Sequence, residues 1–266
     1  MRTLTRSLFF AGLVGLPAGM SVAFAAEEPA SPHTFTANVT LASQYIYRGI
    51  TQTAREPAIQ GGRDYSHASG FYVGTWASNI SWFSDINGGS SSMEWDFYGG
   101  YKNSIGDVGY DLGVLIYYYP GRYPSLIAGT VKPNTTEIYG ALSYKWVTGK
   151  VSYVVSDGLF GVDNADSSWY FDLTANVPIA DGWTATAHAG HQEYDGTACA
   201  ACASSDSLFS YTDWKLGISK DLGSGWSASA FYTDTDAKDA GYKIAGVNGG
   251  RNLGDSHFVV TIGRAF

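Results

Sequence analysis

Twelve stretches of this chain alternate apolar and polar residues with a period of two, and the connections between them alternate short and long. This sorting constrains the fold more than any single motif. Successive side chains of a strand point to opposite faces, and only an up-and-down sheet returns every second connection to the same side. A soluble sandwich has no reason to sort its connections by length. An even-stranded membrane barrel does, with short turns on one side and longer loops on the other. The final stretch, DSHFVVTIGRAF, places Phe258, Val260, Ile262, Arg264 and Phe266 on one face and His257, Thr261, Gly263 and Ala265 on the other. Alternation carried to a terminal aromatic implies that this strand is paired with the first, because hydrocarbon cannot satisfy a free sheet edge.

The expected fold is therefore all-β: a transmembrane antiparallel up-and-down β-barrel of about 12 strands. The strands are expected at Phe35–Arg48, Ala58–Ser66, Phe71–Trp82, Ser92–Asn103, Val108–Tyr119, Asn134–Trp146, Lys150–Ser156, Ser167–Ile179, Trp183–Tyr194, Ser210–Lys220, Trp226–Thr235 and Asp255–Phe266. Five short turns, assigned to the periplasm, alternate with six longer loops, assigned to the cell exterior. The turns include His67–Gly70, Val147–Gly149 and Ala180–Gly182. The third strand carries aromatics on both faces, so its inward side is left open. The content of 33 Gly, 19 Tyr, 13 Phe and 8 Trp suits tight bends and interfacial rings.

The N-terminal region reads differently. Arg2 and Arg6 precede an apolar run from Leu8 to Leu16, and Ala23-Phe24-Ala25 offers a small-x-small cleavage pattern. That is a secretory signal peptide over residues 1–25, too short and too interrupted by Pro17 and Gly19 for a transmembrane helix. Ala26–His33 is expected as a disordered lead-in, with the barrel over residues 34–266. Removal of residues 1–25 leaves 14 basic against 24 acidic side chains. An acidic chain argues against a nucleic-acid partner.

Several motifs resemble those of the TorF-type porins, a conserved hypothetical family of proteobacterial outer-membrane proteins. They are SQYIYRGITQT at Ser43–Thr53, PAIQGGRDY at Pro57–Tyr65, GFYVGTWASNI at Gly70–Ile80, EWDFYGGY at Glu94–Tyr101, YYPG at Tyr118–Gly121 and TEIYG at Thr136–Gly140. The matches are dense over the first half and patchier beyond. Arg63 departs from the pattern, standing on a face where an apolar residue is expected; its long stem lets it snorkel to a headgroup layer. The resemblance implies a barrel of the Gram-negative outer membrane that passes small solutes, and names no substrate.

Faces opposite the apolar stripes should point into the lumen. They nominate Arg48, Glu94, Asp96, Lys102, Asp111, Glu137, Lys145, Lys150, Asp172, His188, Asp213, Lys215 and His257. Two readings stay open: a narrow wetted pore whose charges set a selectivity, or a filled lumen whose charges pair and only stabilise the barrel. Acids outnumber bases in this set, which favours cations. In the plugged case the barrel would act as a surface receptor, adhesin or structural protein. A lipid-modifying enzyme would need a Ser held by an oriented His, and the sequence has no GxSxG elbow.

Cys199 and Cys202 stand in a loop, where this spacing in an exported protein reads as a local disulfide. A metal pair formed with His188 or His191 is the lesser alternative. No cofactor or resident metal is expected. The expected partners are outer-membrane lipids, small solutes and the barrel-assembly machinery, the last through Phe258, Val260, Ile262 and Phe266 of the final strand. Oligomeric state is not specified by the sequence.

Overall fold

The computed structural model describes residues 31–87, 90–123, 131–197, 204–244 and 247–266. The signal peptide and residues 26–30 of the lead-in lie outside these described residues.

Among the described residues fourteen strands form: β1 His33–Ala42, β2 Ile46–Tyr47, β3 Ile50–Thr51, β4 Ala58–His67, β5 Phe71–Asn79, β6 Met93–Ile105, β7 Val108–Tyr118, β8 Thr135–Tyr144, β9 Val147–Val154, β10 Trp169–Ala180, β11 Trp183–Glu193, β12 Tyr211–Gly223, β13 Trp226–Thr235 and β14 His257–Ala265. Twelve of them, all but β2 and β3, close into an antiparallel barrel in which every neighbour is also the next barrel strand along the chain. Closure is made by β1 against β14, from Asn38↔Ala265 to Ala42↔Thr261. The last residue takes part: Phe266 N–H donates to Ala37 O at 2.9 Å, and Ala37 N–H donates back to Phe266 O at 3.3 Å.

Short connections gather at one end and long ones at the other. Asp181-Gly182 and Ser224-Gly225 each place both residues at positive φ, as a two-residue hairpin matched to strand twist requires. The long connections carry short helices, α1 at Trp82–Asn87, α2 at Ser205–Phe209 and α3 at Asp239–Tyr242. No helix among the described residues is long and apolar enough to cross a membrane.

The outer surface is apolar. Leu112, Leu142, Val151, Leu173, Leu216 and Val260 are exposed in a mid-height band. Exposed rings flank it: Phe35, Phe71, Tyr144, Trp183 and Trp226 toward the short turns, and Trp95, Tyr118, Tyr153, Trp169 and Phe258 toward the long loops. Such a band between two aromatic girdles is the surface a bilayer accepts and water does not. The buried cluster lies inside the barrel, where Tyr45, Tyr72, Trp76, Tyr98, Leu115, Tyr117 and Tyr119 pack together.

Several expected boundaries shift. β1 ends at Ala42 rather than running on to Arg48, and the chain then turns inward. His33 is not disordered lead-in but the first residue of β1, opposite His67, which extends β4 into the expected turn. The β8–β9 turn is Lys145-Trp146, because Tyr144 already pairs with Val147. Tyr72, Trp76 and Ser78 are buried in β5, so this strand turns its even-numbered residues to the lumen. Arg63 stands exposed on the outer face.

Leu112→Arg, a charge introduced near mid-height on the outer band, is expected to destabilise the barrel by about 2–4 kcal/mol. Reversible denaturant unfolding in lipid vesicles measures this.

Candidate functional site

The inward hairpin is built from local chemistry. Beyond Ala42, Ser43 N–H still bonds Val260 O at 2.9 Å, after which β2 and β3 pair as Ile46↔Thr51 and Tyr47↔Ile50. Arg48 and Gly49 form the two-residue turn between them, with φ of 45° and 77°. Both central residues at positive φ is the geometry such turns favour, and Gly supplies it without steric cost. The base is stitched by Gln52 N–H to Tyr45 O at 2.8 Å, Tyr45 N–H to Thr53 Oγ1 at 3.1 Å and Thr51 Oγ1 to Gln44 Oε1 at 3.0 Å.

The hairpin reaches across the lumen. A methyl group at Gly49 would lie 2.4 Å from Thr235 Cγ2 and 2.7 Å from Asp213 Cβ, so the tip touches the β12–β13 wall. Arg48 spans toward other strands. Its Nη2 meets Glu137 Oε2 at 2.8 Å and its Nη1 donates to Gln192 Oε1 at 2.7 Å, with the guanidinium 4.2 Å from the centre of the Tyr170 ring. Gln192 is held in turn by donating to Trp169 O at 3.0 Å. The Arg48 and Glu137 side chains are 7% and 1% exposed. Such a pair is weak evidence of stability gained, yet strongly destabilising if only one partner is removed.

Around this latch the lumen wall is electrically uneven. On β6, Glu94 accepts from Tyr45 Oη at 2.6 Å and Tyr119 Oη at 2.7 Å. Asp96, two residues on, is fully buried, and neither carboxylate oxygen has a hydrogen-bond partner among the described residues. With Glu137 on β8 these make an acidic wall. Nearer the short turns Asp111 accepts from Tyr72 Oη at 2.5 Å, Lys102 lies over the Tyr72 ring, and Tyr98 Oη donates to Asp64 at 2.6 Å.

Across the barrel, His188 bridges Asp172 at 3.2 Å and Asp213 at 2.9 Å, and Tyr170 Oη donates to Asp213 at 2.9 Å. Lys150 and Lys215 stand beside them. These groups line a cavity of about 220 Å³ that begins under the hairpin and extends past Asn176, Thr186, Ser219 and Ser229. Its wall is rich in hydroxyls and carries both signs of charge.

Among the residues nominated by alternation, Glu94, Asp96, Lys102, Asp111, Glu137, Lys150, Asp172, His188, Asp213, Lys215 and His257 stand on the inner faces of their strands. Lys145 does not: it occupies the β8–β9 turn at φ 53° and is exposed, because β8 ends one residue earlier. Arg48 is inside the barrel but on the hairpin rather than the wall. Asp64, Gln192, Tyr117 and Tyr170 complete the site without having been nominated. The hairpin had a signal in Ile46–Thr51, an x-Gly pair between two β-forming dipeptides. Cys199 and Cys202 lie outside the described residues. His67 Nδ1 meets Ser69 Oγ at 2.7 Å, but within a turn and with no carboxylate on the ring among the described residues.

The chain belongs to the bacterial family Gcw_chp, described as being of unknown function, whose model matches residues 26–266. The match is to that description and does not carry the TorF name. No curated protein sequence matches the chain. The fold is similar to that of a KdgM porin, with a TM-score of 0.51 at 6% identity over 87% of this chain and 98% of that one. A second KdgM structure, in complex with disordered oligogalacturonate, gives the same score and identity. A NanC porin has a TM-score of 0.51 at 12% identity over 86% of this chain and 98% of that one. At these identities the likeness is one of fold.

Arg48→Ala leaves the buried Glu137 carboxylate without its cation, at a cost of about 3–5 kcal/mol to the docked hairpin. Amide exchange at Thr51 and Gln52 is expected to accelerate in the variant and to recover in part in Arg48→Ala/Glu137→Gln. Unchanged exchange would show that the latch does not hold the hairpin.

Proposed function

We propose that this protein is an outer-membrane channel of the porin type, with the hairpin bearing Arg48 as its constriction and small hydrophilic solutes or ions as its cargo. The carrying observation is the polar cavity under the hairpin, walled by Lys150, Asp172, His188 and Lys215. A barrel that served only as a scaffold would have no need of a cavity walled by charged side chains below its hairpin. In this reading the termini and short turns face the periplasm and the long loops face outward. Export by the segment over residues 1–25 and assembly through the strand ending at Phe266 belong to the same proposal.

The acids facing inward, among them Asp64, Glu94, Asp96, Asp111 and Glu137, outnumber the bases, and low-dielectric walls focus the resulting field. The cavity under the hairpin is itself lined by Arg48, Lys150 and Lys215 against Asp172 and Asp213, so the cation lean that follows is that of the whole lumen and not of this segment. A second reading has its own support: the reach of Arg48 across the lumen to Glu137 on β8 describes a closed bore, as a plugged receptor would have.

Planar-bilayer recording of refolded protein separates the two. The channel reading expects discrete steps from the wild type, several-fold larger steps from Arg48→Ala, and a reversal potential that moves toward anions in Asp111→Asn. Steps from the variant alone would favour the plugged reading. Silence from both, with folding confirmed by heat-modifiable mobility, would sink the channel.

A further inference from the structure

A charged side chain on the lipid face of a membrane barrel is costly unless it reaches a partner in the headgroup layer. Among the described residues, two arginines stand on the outer faces of barrel strands, and they occupy the two strands that flank β1: Arg63 on β4 and Arg264 on β14. Parity fixes the side. Arg63 shares its face with the exposed Ile59, and Arg264 shares its face with the exposed Phe258, Val260 and Ile262. Each lies two residues from a ring at the short-turn end of its own strand, Arg63 from Tyr65 and Arg264 from Phe266, and on β1 between them Ala37 lies two residues from Phe35. The three therefore stand at one height. Arg63 is directly opposite Ala37, whose register partner on β14 is two residues from Val39, the partner of Arg264. From strand spacing and rise, the two arginine Cα atoms are about 12 Å apart.

Nothing within the protein neutralises this pair. No carboxylate among the described residues comes within ion-pair distance of either arginine. The outer faces of β4, β1 and β14 carry no Asp or Glu. Arg63 is exposed, and its guanidinium makes no hydrogen bond or ring contact among the described residues. Arg264 is held in place by rings, its guanidinium 4.8 Å from the centre of Phe266 and 5.5 Å from that of Trp226. Of its three nitrogens only Nε is buried without an acceptor, so the two terminal nitrogens stay open at the surface. Between the arginines the surface is low, because the outward positions there include Ala37 and Gly61.

We propose that this seam binds an anionic phospholipid, with Arg63 and Arg264 meeting its phosphate oxygens from either side of Ala37. A guanidinium presents paired N–H donors that match phosphate geometry. A net-negative headgroup fits better than a zwitterionic one, because the strip has no carboxylate to receive an ammonium. The pair stands one pleat in from Phe35, Tyr65 and Phe266, a distance that the long stems cover by bending toward the headgroup layer marked by those rings. The bound lipid lies across the contact of β1 with β14 that closes the sheet. The inference rests on the membrane placement in the reading above and not on conduction.

Phosphatidylglycerol is the probe, and zwitterionic phosphatidylcholine is the comparison. Native mass spectrometry of the full barrel, released from micelles holding each lipid at equal concentration, should show one retained phosphatidylglycerol, about three- to tenfold more abundant than the phosphatidylcholine adduct. Arg63→Gln/Arg264→Gln should bring both lipids to equal, low retention. Equal retention by the wild type overturns the proposal, as does an undiminished preference in the double variant. Inorganic phosphate offered without lipid should leave no adduct; an adduct that the double variant loses would mark a free-anion site and overturn the lipid assignment. Insertion into vesicles, read separately by heat-modifiable mobility, tells a failed site from a failed membrane placement: a barrel that inserts without the preference loses the site alone, and one that does not insert loses both. Should the double variant fail to fold, Arg63→Gln alone is read by the same criterion.

Discussion

Closure of the sheet is the constraint on which everything else in this protein depends. Hydrocarbon offers no partner for a backbone N–H or C=O, so each strand must be flanked on both sides. The pairing of β1 with β14, completed by the reciprocal bonds between Ala37 and Phe266, removes the last free edge. Once the sheet closes, its two faces acquire different solvents. Leu112, Leu142 and Leu216 can remain exposed because their surroundings are lipid, and Glu94, Asp96 and Asp213 can be buried because theirs is the lumen.

Closure also creates a problem of volume. Eight strands leave an interior that side chains fill, and sixteen or more leave an aqueous channel. Twelve strands leave a bore that wall side chains alone do not fill. The chain answers by folding a segment inward. The β2–β3 hairpin occupies the long-loop half of the lumen, packs its tip against Asp213 and Thr235, and is anchored by Arg48. Beneath it the bore stays polar; above it the loops meet as an aromatic chamber. One six-residue hairpin thus divides the interior into two compartments, one walled by charged and hydroxyl-bearing side chains and the other largely by rings.

The choice of arginine at the tip follows from what it must reach. A planar guanidinium can meet Glu137 and Gln192 through separate nitrogens while stacking on Tyr170, a combination that a lysine ammonium cannot reproduce. Its backbone at φ 45° is uncommon for a residue with a side chain. These contacts and the Gly49 packing together hold it there.

The alternation of the sequence was enough to determine the barrel, its strand count and the inward face of almost every strand. The reason is local: the pleat has a period of two, so a residue's face depends only on its parity within a strand. That is why Glu94, Asp96, Asp111, Glu137 and Asp213 were legible as interior residues. Lys145 was misplaced because parity says nothing about where a strand stops, and β8 ends at Tyr144. β5 stayed ambiguous because rings occur on both of its faces, and only its neighbours β4 and β6 decide which side is inward. What the tertiary structure alone decided was the path of residues 43–57. Arg48 meets partners 89 and 144 positions away along the chain, and such contacts are absent from any local pattern. The constriction and the aromatic chamber above it both arise from that non-local packing, which exists only after the sheet has closed.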